Sequence, residues 1–319
     1  SLDQPSEWRL VARDAFCGVV LWKEQVGPWE GRFRRFRSGP PAIGRRLVAS
    51  ADRVFVTLGY GKPVVSLDAA TGKTQWSCSE TAGATEIIRA GDTLYVAAES
   101  DKGKMRKQKT PRQPTFTAEE MRIVAVEAGS GTVRWTRDGA DTRNYLATTL
   151  CSDGTHVFLH NTSCLVCLDA ETGQTKWKVD RPSSLKRRSW SAPTLTVVDG
   201  VLLSADISAD RQPTDPPQPV QWKYTSRPPR GDSGRGRLVA FSAEAGEKLW
   251  ECPTAMNYCA PPDVFVVEGL VWTGTDSGRN NPDFQEGREI HTGKVVRRIK
   301  TADAFTTTHH HRCYRDRAT

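Results

Sequence analysis

No run of apolar residues in this sequence approaches the roughly 18–20 that a helix needs to cross a bilayer, so no helical membrane span is expected. Cysteine is sparse and irregular. Its 8 copies among 319 residues lack the density and spacing of a disulfide scaffold. No two cysteines are adjacent. Cys164 and Cys167 form a C-x-x-C, but Leu168 follows them, which excludes the haem-attachment form ending in His. On a strand, residues three apart face opposite sides, so this pair reads as two small buried thiols rather than a shared metal or redox site. No Ser/His/Asp order, phosphate-cradling glycine loop or repeated carboxylate pair stands out. No basic-then-apolar leader follows Ser1, and no targeting signal is legible.

What is present is positive charge, tryptophan and repetition. The net charge is +8, carried mainly by clusters within residues 32–37, 102–112, 186–188 and 227–237. Such clusters can meet an anionic surface or nucleic acid. Most of them, however, fall in Pro/Gly-rich or polar stretches, where charge runs are solvated loops, so nucleic acid is the weakest partner class. A hydrophobic fraction of 37% with 10 Trp indicates a folded chain.

The repeat is explicit. Residues 67–76 read LDAATGKTQW and residues 168–177 read LDAETGQTKW. Looser copies run from Val126 through Gly131 to Trp135, from Phe241 through Gly246 to Trp250, and from Asp14 through Gly18 to Trp22. A sixth, around Gly293, carries Arg297 where the others carry Trp. Each copy reads as a β-hairpin. An apolar run leads in, Asp and Thr (Asp14, Asp68 and Asp169 among them) accept the exposed turn amides, and the glycine supplies a positive φ. The Trp, four residues later on the returning strand, can press a flat ring onto a neighbour. One hairpin alone cannot bury such a ring; a stack of them can.

Spacing predicts blades. The shortest interval between turn glycines, 42 residues from Gly131 to Gly173, suits a four-stranded propeller blade. Two further strand-like runs precede most hairpins, for example around residues 46–49 and 54–58, and again at 194–198 and 201–203. The fold expected is all-β: a β-propeller of four-stranded antiparallel blades, about six of them, in one domain over 1–319. The first hairpin lacks two preceding strands and the tail begins another element, so an open or incomplete ring, truncated at both ends, is expected. Insertions are placed at 100–118 and 206–236. The second holds a proline run and the tripeptide Arg230-Gly231-Asp232, both short patterns of high chance frequency.

The Asp-x-x-Thr-Gly-x-x-x-Trp style of these repeats resembles the pyrroloquinoline-quinone (PQQ)-like repeat of quinoprotein alcohol dehydrogenases and of the related outer-membrane-assembly lipoprotein. The resemblance covers nearly the whole chain. It implies a propeller and a location in the bacterial periplasm or cell envelope. For the dehydrogenases it also implies a clamped quinone, a divalent calcium-type ion and a general-base carboxylate, often beside a disulfide of adjacent cysteines. The chain has no such cysteine pair, and its repeat aspartates are explained by turn chemistry. PQQ or a divalent metal is therefore a matter for the full-length protein.

One stretch carries concentrated chemistry. If the tail is extended, His309, His311 and Cys313 share a face, and two imidazoles with a thiolate suit zinc or copper. Two functions follow: a binding or scaffold module for a protein or envelope polymer, or part of a quinoprotein-like or metal-dependent oxidoreductase whose site lies near residues 309–313.

Overall fold

The computed structural model describes residues 7–27, 45–50, 52–100, 117–118, 120–183, 193–207, 236–254, 264–274 and 284–300. Within them lie five four-stranded antiparallel sheets, one two-stranded hairpin and one further two-stranded pair. The hairpin is β1 (Trp8–Arg13) with β2 (Val20–Val26). The second sheet runs β3 (Leu47–Ala49), β4 (Arg53–Thr57), β5 (Val64–Asp68), β6 (Thr74–Cys78). The third runs β7 (Ala84–Ala90), β8 (Thr93–Glu99), β10 (Met121–Glu127), β11 (Val133–Arg137). Between its middle strands, β9 (Thr117–Ala118) leaves to pair with β12 (Tyr145–Leu146). The fourth is β13 (Cys151–Ser152), β14 (His156–His160), β15 (Cys164–Asp169), β16 (Thr175–Asp180). The fifth is β17 (Thr194–Val198), β18 (Val201–Ile207), β19 (Gly236–Ser242), β20 (Lys248–Thr254). The sixth is β21 (Phe265–Val267), β22 (Leu270–Gly274), β23 (Phe284–Glu289), β24 (Val295–Lys300). Each sheet is a meander in sequence order, the blade of a β-propeller.

Burial follows strand position. Middle strands are covered on both faces and read as continuous apolar runs: β8 is buried from Thr93 through Ala98, and β15 from Leu165 through Leu168. Fourth strands alternate instead, as in β16 and β20, because only one of their faces meets a neighbour. Alternation on a middle strand divides its side chains between two cores. Leu94 and Val96 pack back onto Phe55 and Val64 of the second sheet. Tyr95 and Ala97 pack forward onto Val157, Leu159 and Val166 of the fourth. Similar cores fill the spaces between the fourth and fifth and the fifth and sixth sheets. The protein thus has a series of inter-blade cores, and stability is shared between neighbours as in other repeat architectures.

The C-x-x-C lies on β15 with its residues on opposite faces. Cys167 belongs to the core shared with the fifth sheet, whereas Cys164 packs against the core shared with the third. Cys164 is only half-buried, which corrects the expectation of two buried thiols: it sits at the strand's first position, where the sheet's cover ends.

Candidate functional site

Each meander has two ends. At one end sit the repeat turns and the turn between the first and second strands. These are joined by backbone bonds: the amides of Ala69, Ala128, Ala170 and Ala243 donate to the carbonyls of Asp52, Asp92, Thr155 and Gly200. All six repeat turns close alike. The amides of Gly18, Gly72, Gly131, Gly173, Gly246 and Gly293 donate to the carbonyls four residues earlier, and every glycine has positive φ. Asp68 Oδ1 accepts the Thr71 amide and hydroxyl, and Asp169 Oδ1 those of Thr172. Asp14 Oδ1 accepts the amides of Phe16 and Cys17. These bonds hold all three carboxyls below their ordinary range, the Thr71 hydroxyl leading at Asp68, the Thr172 hydroxyl at Asp169 and the Cys17 amide at Asp14.

The same geometry seats the tryptophans. The rings of Trp22, Trp76, Trp135, Trp177 and Trp250 lie on Gly72, Gly131, Gly173, Gly246 and Gly293 of the next sheet. Their indole N–H groups donate to the carbonyls of Ala69, Ala128, Ala170, Ala243 and Ile290 at 2.7–3.1 Å. An aromatic from the second strand backs three of them: Phe55 against Trp76, Tyr95 against Trp135, and Phe158 against Trp177.

Charged chemistry absent from the repeat gathers at two places. At the turn end, His156 stands between Asp153 (Nδ1 to Oδ2, 3.0 Å) and Glu244 (Nε2 to Oε2, 3.2 Å). Lys176 Nζ reaches both that Nε2, at 3.0 Å, and Glu244. This cluster ties the fourth sheet to the fifth.

At the opposite end, Glu86 on β7 is 1% exposed and fully bonded. One carboxylate oxygen accepts Arg45 Nε and Nη2; the other accepts the Tyr145 hydroxyl and the Thr148 amide. Arg45 Nη2 also donates to the Leu150 carbonyl at 2.6 Å. Burial works against the charge of Arg45, but pairing with Glu86 outweighs it and raises its pKa. Burial, with the neighbouring Glu86, pushes the Tyr145 phenol well above its usual value. The pair therefore joins the entry of the second sheet, the first strand of the third and the entry of the fourth.

On the connection that follows β11, Asp141 accepts Lys178 at 2.8 Å, Thr175 at 2.6 Å and Arg137 at 2.6 Å. Burial alone would raise this carboxyl, yet those three donors bring it well below its ordinary range. Asp141, Arg143, Asn144, Asn161 and Lys178 line a shallow cavity of about 310 Å³. No sequence motif marked Arg45, Glu86, Asp141 or His156 as functional: each is a single polar residue in a strand or connection, and each has at least one partner remote in sequence.

His309, His311 and Cys313 lie outside the described residues, as do both insertions except their margins and most of the basic clusters. Among the described residues, no three His, Cys, Asp or Glu side chains converge as metal ligands. Glu86 and Asp141 have all their oxygens bonded to protein donors. Neither therefore offers a free ligand to the divalent ion of a quinone site. Among the described residues, no helix is long and apolar enough to cross a membrane.

A 43-residue stretch, 14% of the chain, is 44% identical to the quinohemoprotein alcohol dehydrogenase of Comamonas testosteroni and covers 6% of that enzyme. Among solved structures, BamB from Moraxella catarrhalis aligns over 92% of this chain and 68% of its own, at 19% identity and a TM-score of 0.48. The quinohemoprotein alcohol dehydrogenase ADHIIG of Pseudomonas putida HK5 aligns over 81% of this chain and 42% of its own, at 13% identity and a TM-score of 0.45. The model of the family described as outer membrane protein assembly factor BamB matches residues 3–110 and 119–313. The chain belongs to that family of PQQ-like β-propellers.

Proposed function

We propose that the chain is a binding or scaffold module of the bacterial cell envelope, whose partner is a protein or an envelope polymer. The observation that carries this reading is the use made of its buried charge. Glu86 with Arg45, and Asp141 with Arg137 and Lys178, have their hydrogen-bonding capacity turned inward to brace neighbouring sheets. A rigid array of blades with exposed connections at its ends suits recognition. The family's description as an assembly factor agrees with this. On this reading residues 1–319 form one propeller in an open ring, with insertions at 100–118 and 206–236.

A second reading draws on the 43-residue stretch that is 44% identical to a quinohemoprotein alcohol dehydrogenase. It makes the chain part of a quinoprotein-like or metal-dependent oxidoreductase, with His309, His311 and Cys313 near the site. Metal analysis and quinone reconstitution of the full-length protein separate the two. The scaffold reading expects neither stoichiometric metal nor quinone-dependent alcohol oxidation. A stoichiometric metal that is lost in His309→Ala/His311→Ala overturns it.

A further inference from the structure

The cavity lined by Asp141 lies at the end of the fourth sheet opposite its repeat turn. Its walls are the connection from β11 to β12, the turn between β14 and β15, the first residue of β15, and Lys178 on β16. Its volume of about 310 Å³ falls at the lower end for a small-molecule site.

These walls are held from behind. The Thr142 hydroxyl donates to the Met121 carbonyl, and the Arg143 amide donates to the Gly139 carbonyl at 3.1 Å. Asn144 then turns the chain in the left-handed conformation, φ +56°, which asparagine tolerates. Across the cavity, Asn161 uses its whole side-chain amide on the backbone. Its Oδ1 accepts the amides of Ser163 and Cys164, and its Nδ2 donates to the Asp141 carbonyl.

The groups left over are rich in donors. Asp141 is the carboxylate of the lining, and both its oxygens are filled, by Lys178, Thr175 and Arg137. By contrast, no hydrogen bond or ion pair engages the side chains of Arg143, Asn144, Thr162 or Ser163 among the described residues. Asp141 balances Lys178, whereas Arg143, exposed at the rim, adds a positive charge that no described carboxylate pairs. Asp180, opposite Cys164 in the strand register, is exposed and stands outside the lining. The lining holds no aromatic and no large aliphatic side chain. A matching ligand is small and hydrophilic, and brings acceptors with a negative charge.

We propose that this cavity binds the carboxylate of a small hydrophilic acid, taken by the guanidinium of Arg143, with Asn144, Thr162 and Ser163 bonding its hydroxyl or amide groups. A guanidinium fork matches a planar carboxylate through two parallel N–H bonds. One unpaired cation suits a monoanion better than a phosphate dianion. The carboxylate can belong to a free hydroxy acid or to the end of a peptide. The site requires neither the scaffold nor the oxidoreductase reading.

Cys164 stands in the wall and serves as the reporter. Its thiol is half-buried, and burial raises its pKa, so it reacts slowly. The full chain is alkylated with iodoacetate, which carries a carboxylate, or with iodoacetamide, its neutral counterpart, and Cys164 is followed by peptide mapping. The ratio of the two rates cancels the thiolate fraction. It is expected to be at least about fivefold higher in the native than in the denatured chain, and to fall as salt is added. Arg143→Gln should return it to the denatured value while Cys167 stays unreactive, which shows that the fold is kept. Gluconate or N-acetyl-glycylglycine, at constant ionic strength, should slow iodoacetamide at Cys164 in the unaltered chain. The stronger protector then identifies the source as a hydroxy acid or a peptide end. The proposal is overturned if native and denatured ratios agree, or if a folded Arg143→Gln keeps the native ratio. It is also overturned if neither carboxylate protects Cys164, or if inorganic phosphate protects it as well as they do.

Discussion

Trp135 lies flat on Gly173, so close that a Cβ on the glycine would stand 2.6 Å from both Cδ2 and Cε3 of the ring. Gly173 has φ +70°, and its turn also supplies the carbonyl of Ala170 to the indole N–H at 2.9 Å. Glycine is required here twice, for the backbone and for the ring. Gly154 has φ +95° with nothing within 4 Å of a Cβ, so it is required only once. Gly154→Ala should cost only left-handed strain, about 1–2 kcal/mol. Gly173→Ala should add about 1–3 kcal/mol for the displaced ring. Urea unfolding of the two variants checks this, and equal losses would show that the ring yields freely.

Removing a ring should act differently at the edge and in the middle. Trp135 is buried in the core between the third and fourth sheets, so Trp135→Ala should cost about 3–5 kcal/mol and lower the global midpoint. Trp22 is only half-buried and joins a hairpin with exposed Val11, Val19 and Leu21. Trp22→Ala should therefore loosen that hairpin alone, seen as faster amide exchange in β1 and β2 with the remaining sheets unchanged.

Breaking the ion pair at Glu86 should be more damaging than removing it whole. Glu86→Ala leaves Arg45, Tyr145 and the Thr148 amide facing a void and should cost about 3–5 kcal/mol. Arg45→Met with Glu86→Leu, which removes both charges, should recover much of that loss. A double variant as unstable as Glu86→Ala would mean that the pair is itself a large source of stability.

Acid sensitivity should trace in part to Asp141. Its carboxyl sits well below 3.8 in the native state, so its contribution is fully present above the unfolded value. That contribution disappears as pH falls from about 4 through the native value. Urea midpoints measured from pH 5 to 2 should fall less steeply in Asp141→Asn than in the unaltered protein. Parallel curves would remove Asp141 from the account.

The thiols should divide by burial. Desolvation pushes Cys167 up to about 12 and raises Cys151 and Cys252, while Cys17 lies exposed on the first turn. Iodoacetamide at pH 8 should alkylate Cys17 in the native protein and reach Cys151, Cys167 and Cys252 only in denaturant, as peptide mapping would show.

The blades were legible because their signal is local. Gly72 and Gly173 each lie close in sequence to the Asp and Thr that close their turns, and Trp76 and Trp177 follow on the next strand. The aromatics behind those rings, Phe55 and Phe158, were not legible, since each sits on another strand and looks like any core residue. Arg45 and Glu86 were hidden for the same reason. Neither belongs to a pattern, and Tyr145 and Leu150, which complete their site, come from a third part of the chain.

By itself the sequence determined the all-β propeller class and the turn chemistry of Asp68 and Asp169. All of these rest on residues within about ten positions of one another, where backbone stereochemistry leaves few alternatives. Only the tertiary structure decided which tryptophan seats on which glycine, and that Gly18 meets no ring among the described residues. It alone showed that Glu86 and Asp141 are held by donors from other sheets. Those facts depend on which blade faces which, and that is settled by packing between side chains remote in sequence.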